Sequence, residues 1–269
     1  MNEIVKGNLV IIGGAEDKNG ECVILRSLVN IIGGSEARLT ILTTATENPE
    51  KAGAEYRTVF QRLGAVNINV LHINTRDDAN MDNSVQAVSE STGIFFTGGD
   101  QLRITSILGG TKIFTALHDA CQKGTVIAGT SAGASAMTGT MIIDGNDYDT
   151  ARKCTLKMAP GLGLLEKVLV DQHFHQRGRI GRLLCGVAEN PDILGMGIDE
   201  DTAVRIYPDA HFDVIGSNSV TIVDGRYIKS SNISELKPDE SLAIVNIVLH
   251  VLPCGYGFDM KNREALRIH

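Results

Sequence analysis

A chain of 269 residues, 43% hydrophobic and 21% charged, is long enough for one sizeable core and too apolar to be mainly disordered. Its formal charge of -7 excludes a general nucleic-acid or anionic-membrane surface, since phosphate neutralisation needs net positive charge. The longest apolar candidate, 242–252, is interrupted by Asn246 and His250 and falls short of the roughly 20 residues that span a bilayer, so no transmembrane segment is predicted.

Met1 to Lys6 lead almost directly into an apolar strand, without the basic region, long apolar core and small-residue cleavage site of a secretory signal. A cytoplasmic location is therefore expected. The five cysteines (Cys22, Cys121, Cys154, Cys185, Cys254) are odd in number and never form a C-x-x-C pair. Buried free thiols are expected instead of disulfides or structural zinc.

Short β-rich runs alternate with amphipathic segments from the start: strand 8–12, helix 21–32, strand 38–42, helix 49–63, strand 67–71, helix 83–90 and strand 93–96. Helical stretches across 102–123 and a strand at 126–129 continue the series. This order predicts a parallel sheet covered by helices. A short helical run at 132–137 precedes a Gly- and Asp-rich region at 138–150. Beyond it a strand near 168–171, a helix at 179–189 and a strand at 194–198 are predicted. The last seventy or so residues read as short strands (203–206, 214–215, 220–223, 227–228, 243–252) with turns such as Asp224-Gly225, an antiparallel extension of the core. No repeat or Pro/Ser-rich linker divides the chain, so one domain over 1–269 is expected.

Val126 to Ala134 is a β-branched strand running into Gly129-Thr130-Ser131-Ala132-Gly133 and then into small helix-compatible residues. That is a G-x-S-x-G nucleophile elbow in strand-turn-helix context. The sharp turn crowds the backbone, glycines two positions either side relieve it, and Ser131 Oγ is left exposed. Ser135, inside the helix, is the weaker candidate. A second strand end, Phe96-Thr97-Gly98-Gly99-Asp100-Gln101, lets backbone amides approach a ligand. The amides of Ala132 and Gly99 form the plausible oxyanion pair. Gly13-Gly14 also ends a strand, with a tight strand-to-helix turn at least as good a reading.

A serine needs a general base, and Asp171-Gln172-His173-Phe174-His175 runs off a strand at what is expected to be the same sheet edge. His173 is the candidate, with His175 and Asp171 expected to share its face. The same spacing has a rival reading as metal ligands completed by Asp199, Glu200 or Asp201, which the elbow makes redundant. His118 and His211 read as surface or satisfied histidines. Arg177, Arg179 and Arg182 oppose the dipole at a helix start, a placement that makes sense for an anion site. Gly197 to Ala203 sets three carboxylates after a strand. Glu200 is the chosen partner for the histidine, with Asp149 the alternative.

In these segments, taken in order, the chain resembles the S51 serine peptidases, the family of the cyanophycinases and of the related aspartyl dipeptidases. The resemblance covers nearly the whole chain. It implies an α/β flavodoxin-like three-layer sandwich of the class I glutamine amidotransferase kind, with a mostly parallel sheet and a C-terminal antiparallel extension. It implies the substrate cyanophycin, an aspartate backbone with arginine on each side-chain carboxyl, cut from a chain end to β-Asp-Arg dipeptides. Short β-linked aspartyl peptides are the alternative substrates. Arg177, Arg179 and Arg182 would then hold the arginine carboxylate, Asp171 or nearby acids the guanidinium, and Gln101 and Gln172 the amides. A homodimer is likewise implied, and a serine mechanism of this kind requires no metal or organic cofactor.

Overall fold

The computed structural model describes residues 4–147, 150–153 and 156–268. The first half follows the predicted alternation closely. In chain order it comprises β1 (Leu9–Ile12), α1 (Val23–Ile31), β2 (Arg38–Leu42), α2 (Pro49–Arg62), β3 (Asn67–Leu71), α3 (Asp82–Ser89) and β4 (Gly93–Phe96). There follow α4 (Gln101–Leu108), α5 (Lys112–Gln122), β5 (Val126–Thr130) and α6 (Ala132–Ala136). The helical stretches expected across 102–123 are α4 and α5, divided at Gly109-Gly110, where Gly110 has φ 70°, outside helical space.

The second half comprises β6 (Thr140–Gly145), β7 (Leu156–Pro160), β8 (Val168–Gln172), α7 (Ile180–Glu189), β9 (Leu194–Ile198), β10 (Thr202–Ile206), β11 (His211–Gly216) and β12 (Ser219–Asp224). It ends with β13 (Ser230–Ser231), β14 (Ile244–Val245), β15 (Val248–Pro253), β16 (Tyr256–Asp259) and β17 (Glu264–Arg267). Three expectations need correction. The loose region at 138–150 contains β6, which pairs with β7 as an antiparallel hairpin. The pair at 227–228 is not a strand, since Asp224-Gly225 does not close a hairpin; β12 pairs with β9 and β15 instead. The run at 243–252 is broken at Asn246, whose φ of 69° leaves the β region.

Among the described residues the central sheet has nine strands in the order β17-β16-β11-β10-β1-β5-β4-β2-β3. From β1 to β3 every pairing is parallel, and from β1 outward through β10 to β17 every pairing is antiparallel. A second sheet, β15-β12-β9-β8, pairs β8 and β9 in parallel. The expectation that the histidine strand shares a sheet with the elbow is thus corrected: β8 lies in one sheet and β5 in the other.

Side-chain alternation explains the layering. On β1, Leu9 and Ile11 join one core while Val10 and Ile12 join the other. Tyr56, Val59 and Phe60 of α2 pack with Phe95 of β4 on the second face. The first face meets α4, α5 and one face of the second sheet, including Val170, Met196 and Ile222. The far face of that sheet, Leu169 and Val223, is covered by Leu183 and Val187 of α7. The protein is a mixed α/β sandwich in which both sheets share one core. No helix among the described residues is long and apolar enough to cross a membrane.

The two sheets are stitched where the candidate residues lie. The chain leaves β9 at Ile198, and its turn residues are caught by the end of β1: Gly13 N–H donates to Thr202 O at 2.9 Å, and Asp201 N–H to Gly14 O at 2.9 Å. His173 N–H likewise donates to Gly13 O at 2.8 Å. Segments from both sheets are therefore pinned to one strand end.

Candidate active site

Ser131 stands between β5 and α6 with φ 53° and ψ -114°, a conformation outside the regions an ordinary residue prefers. Its N–H donates to Ile12 O at 3.0 Å, which holds the turn against β1. A Cβ on Gly129 would stand 2.5 Å from Gly133 O, and one on Gly133 would stand 2.6 Å from Phe96 O. Both glycines are thus required by close backbone approach, as the elbow reading predicts. Ala132 heads the following helix, where an N–H has no intrahelical acceptor. The Gly98-Gly99 strand end runs beside the serine: a Cβ on Gly98 would lie 3.4 Å from Ser131 Cβ.

Beyond the end of β8, His173 turns out of the strand with φ 48°. Its Nε2 lies 3.0 Å from Ser131 Oγ, and its Nδ1 lies 2.6 Å from Glu200 Oε1. The imidazole rests on Gly14, where a Cβ would come within 2.4 Å of ring atoms. Glu200 is fixed in turn by its own N–H, which donates to Gln176 Oε1 at 3.0 Å. Burial pushes His173 below its ordinary value of 6.5, against the pull of the Glu200 hydrogen bond and with help from the Arg177 charge. A neutral imidazole at neutral pH can accept a proton from the hydroxyl.

Beside Ser131 opens a polar cavity of about 310 Å³, bounded among others by Gly99, Gln101, Gln172, Arg177, Arg179 and Arg182. Gln101 follows Asp100, which caps α4 by accepting from Leu102 N–H at 2.8 Å. Its Nε2 donates to Ile142 O at 2.8 Å, so β6 aligns it. Arg182 donates to both oxygens of Asp171, from Nε at 2.7 Å and from Nη2 at 2.5 Å. Arg179 donates to Gln172 O at 2.7 Å and, through Nε, to Asp147 Oδ1 at 2.7 Å. Arg177 is exposed at the rim.

The sequence-predicted residues therefore meet at one place, with two differences. Asp171 is 1% exposed and stands behind Arg182, off the cavity wall, so its geometry orients the arginines instead of facing a ligand. Burial raises its carboxyl above 3.8 even with Arg182 alongside. His175 does not share a face with His173: it is exposed, and its N–H donates to Asp199 Oδ1 at 3.0 Å. The chain turns at His173, so strand alternation ends there and the set Asp171, His173 and His175 does not converge. Asp149 lies outside the described residues, as does Cys154. Of the other cysteines, Cys22, Cys121 and Cys185 are buried thiols, whereas Cys254 is exposed.

Sequence reasoning missed Asp147 and the role of Gly14. Neither has a motif; each acts through contacts made between segments far apart in the chain. Glu16 was also overlooked. It is buried and accepts from Thr130 Oγ1 at 2.6 Å and Tyr56 Oη at 2.5 Å, locking the residue before the serine.

A hydroxyl, an imidazole and a carboxylate hydrogen-bonded in series beside a polar cavity, on an α/β scaffold, define a hydrolytic class of enzyme. The sequence model of peptidase family S51 matches residues 9–214, and the chain belongs to that family. A cyanophycinase of Nostoc sp. is 38% identical over 265 residues, covering 98% of this chain and 89% of the relative. A cyanophycinase of Geminocystis herdmanii is 35% identical over 267 residues, covering 99% and 98%. Among solved structures the fold is similar to a peptidase from an acI-B1 Actinobacterium, with a TM-score of 0.64 at 22% identity, over 92% of this chain and 98% of that one.

Proposed function

We propose that this peptidase is a serine exopeptidase that hydrolyses cyanophycin to β-Asp-Arg dipeptides through an acyl-enzyme. The carrying observation is the series Ser131 Oγ, His173 Nε2 at 3.0 Å, and His173 Nδ1 to Glu200 Oε1 at 2.6 Å, beside a cavity walled by arginines. The names of the full-length relatives support the substrate.

In this reading His173, oriented by Glu200, takes the Ser131 proton as Oγ attacks the backbone carbonyl of an aspartyl unit whose β-carboxyl carries arginine. The amides of Ala132 and Gly99 receive the oxyanion. His173 then gives its proton to the leaving amine, and water attacks the ester by the reverse path, restoring the serine. Arg177 and Arg179 receive the arginine carboxylate, Gln101 and Gln172 the amides, while Arg182 and Asp171 act behind them as positioning residues. No metal or organic cofactor enters the scheme. The alternative within the class is a dipeptidase or isopeptidase acting on short aspartyl peptides.

We further infer one peptidase domain over 1–269, a flavodoxin-like classification of the sandwich, a homodimer and a cytoplasmic location. The core shared by both sheets supports the first, and the family resemblance the classification and the homodimer. The experiment is mass spectrometry of products after wild-type and Ser131→Ala protein meet purified cyanophycin in the presence of chelator. Release of β-Asp-Arg by wild-type alone supports the reading; equal release by Ser131→Ala overturns the serine, and release of longer fragments overturns the exo-cleavage.

A further inference from the structure

The two buried arginines of the cavity are neutralised in different ways. Asp171, 1% exposed, grips Arg182 through both its oxygens from behind. Asp147, 35% exposed, comes from the cavity side, from the loop after β6, and lies on Arg179. Its Oδ1 accepts from Arg179 Nε at 2.7 Å and, more weakly, from Arg182 Nη1 at 3.4 Å; its Oδ2 accepts from Arg179 Nη2 at 3.5 Å. Arg179 spends its remaining nitrogen, Nη1, on the inner wall, chiefly on Gln172 O at 2.7 Å. The guanidinium edge formed by Nε and Nη2, which is the edge that takes a carboxylate side-on, is thus already occupied by a carboxylate of the protein itself.

We propose that Asp147 is a specificity-determining residue: it is parked on the carboxylate subsite and is displaced by the free carboxylate of the incoming substrate. This deepens the cyanophycin reading and rests on it. One guanidinium edge binds one carboxylate at a time, so substrate carboxylate and Asp147 compete for Arg179. Displacement costs the enzyme little, because Asp147 is a third exposed and regains water, whereas Arg179 is 6% exposed and has no water to fall back on. Arg177, on the same rim and with no carboxylate partner among the described residues, supplies a second guanidinium to the arriving anion. A ligand lacking that carboxylate cannot displace Asp147, so the parked residue discriminates against neutral or capped chain units.

The test compares wild-type with Asp147→Asn, whose amide keeps the shape without the charge. If the parked state holds about four-fifths of the free enzyme, the variant's KM for cyanophycin falls roughly five-fold with kcat unchanged. Inhibition by β-Asp-Arg dipeptide tightens by a similar factor, while inhibition by the same dipeptide as its C-terminal amide does not change. Asp147→Ala gives the same direction, and unfolding midpoints verify that both variants fold. A raised KM, or equal weakening of acid and amide, would mean that Asp147 holds the substrate cation and overturns the inference alone. No change in any constant also overturns it. Failure of wild-type to cleave cyanophycin or to bind the dipeptide takes down the substrate reading and this inference together.

Discussion

Gly14→Ala isolates the geometry on which the site depends. The Cβ it introduces stands 2.4 Å from both Cε1 and Nε2 of His173, whereas carbon atoms rest at about 3.5 Å. The imidazole must therefore retreat by about 1 Å, and it retreats from Ser131, because Gly14 and the serine touch the same ring edge. A displacement of that size is worth about 100-fold in rate. The substitution also carries a backbone cost, since Gly14 has φ 98°, of about 1–2 kcal/mol. Gly64→Ala separates the two effects: its φ is 102°, and its Cβ meets nothing within 4 Å. Both variants are expected to unfold earlier in thermal melts, Gly14→Ala at least as much as Gly64→Ala because it adds the overlap with His173. Only Gly14→Ala is expected to lose kcat, by about 100-fold, with KM little altered. A folded Gly14→Ala enzyme with wild-type kcat would refute the placement of His173 against this glycine.

The remaining predictions follow the charges. The acid limb of kcat/KM is expected below pH 6.5, because burial holds His173 down and the base must be neutral. Arg177→Ala removes a charge that lowers His173, so the limb moves to higher pH; a limb moving the other way contradicts the assignment. Glu200→Gln removes the group that raises His173, so the limb moves down while kcat falls by about 10³-fold or more through lost orientation of the ring. Arg182→Ala takes away the two-point grip on the buried Asp171, leaving it the longer contact to Arg179 Nη1 at 3.5 Å, and is expected to destabilise the fold by about 3 kcal/mol. Burial already raises Asp171 above 3.8 against the pull of Arg182, so removing that arginine raises it further and favours its protonated form in the fold. The stability deficit should therefore grow as pH rises from about 4 in urea titrations; a deficit independent of pH would contradict the pairing.

Much of this was legible in the sequence because the signals were local. Strands β2, β3, β4 and β9 stand where their short apolar runs place them, and the elbow glycines are needed for the close approaches that the motif's sharp turn demands. What stayed hidden depends on contacts between distant segments. That β8 and β9 leave the central sheet cannot be read from βαβ alternation, since the same pattern suits either sheet. The hairpin of β6 and β7 was masked by its Gly and Asp content, although cross-strand pairing outweighs propensity there. Asp171 looked like a ligand-facing acid because strand periodicity gives a face and not its occupant; Arg182, eleven residues on, fills that face. His175 leaves the face that strand alternation predicts for it because a φ of 48° at His173 ends the extended backbone.

The central claim is that Ser131 carries the acyl group. Rapid acid quench of wild-type enzyme during turnover of cyanophycin, followed by peptide mapping, tests it most directly. The account predicts an ester on Ser131 through the backbone carboxyl of an aspartyl-arginine unit, alone or at the end of a longer chain, absent from Ser131→Ala and increased in a variant with slowed deacylation. Product release under the same conditions with no adduct on Ser131, or with an adduct on another residue, would contradict it.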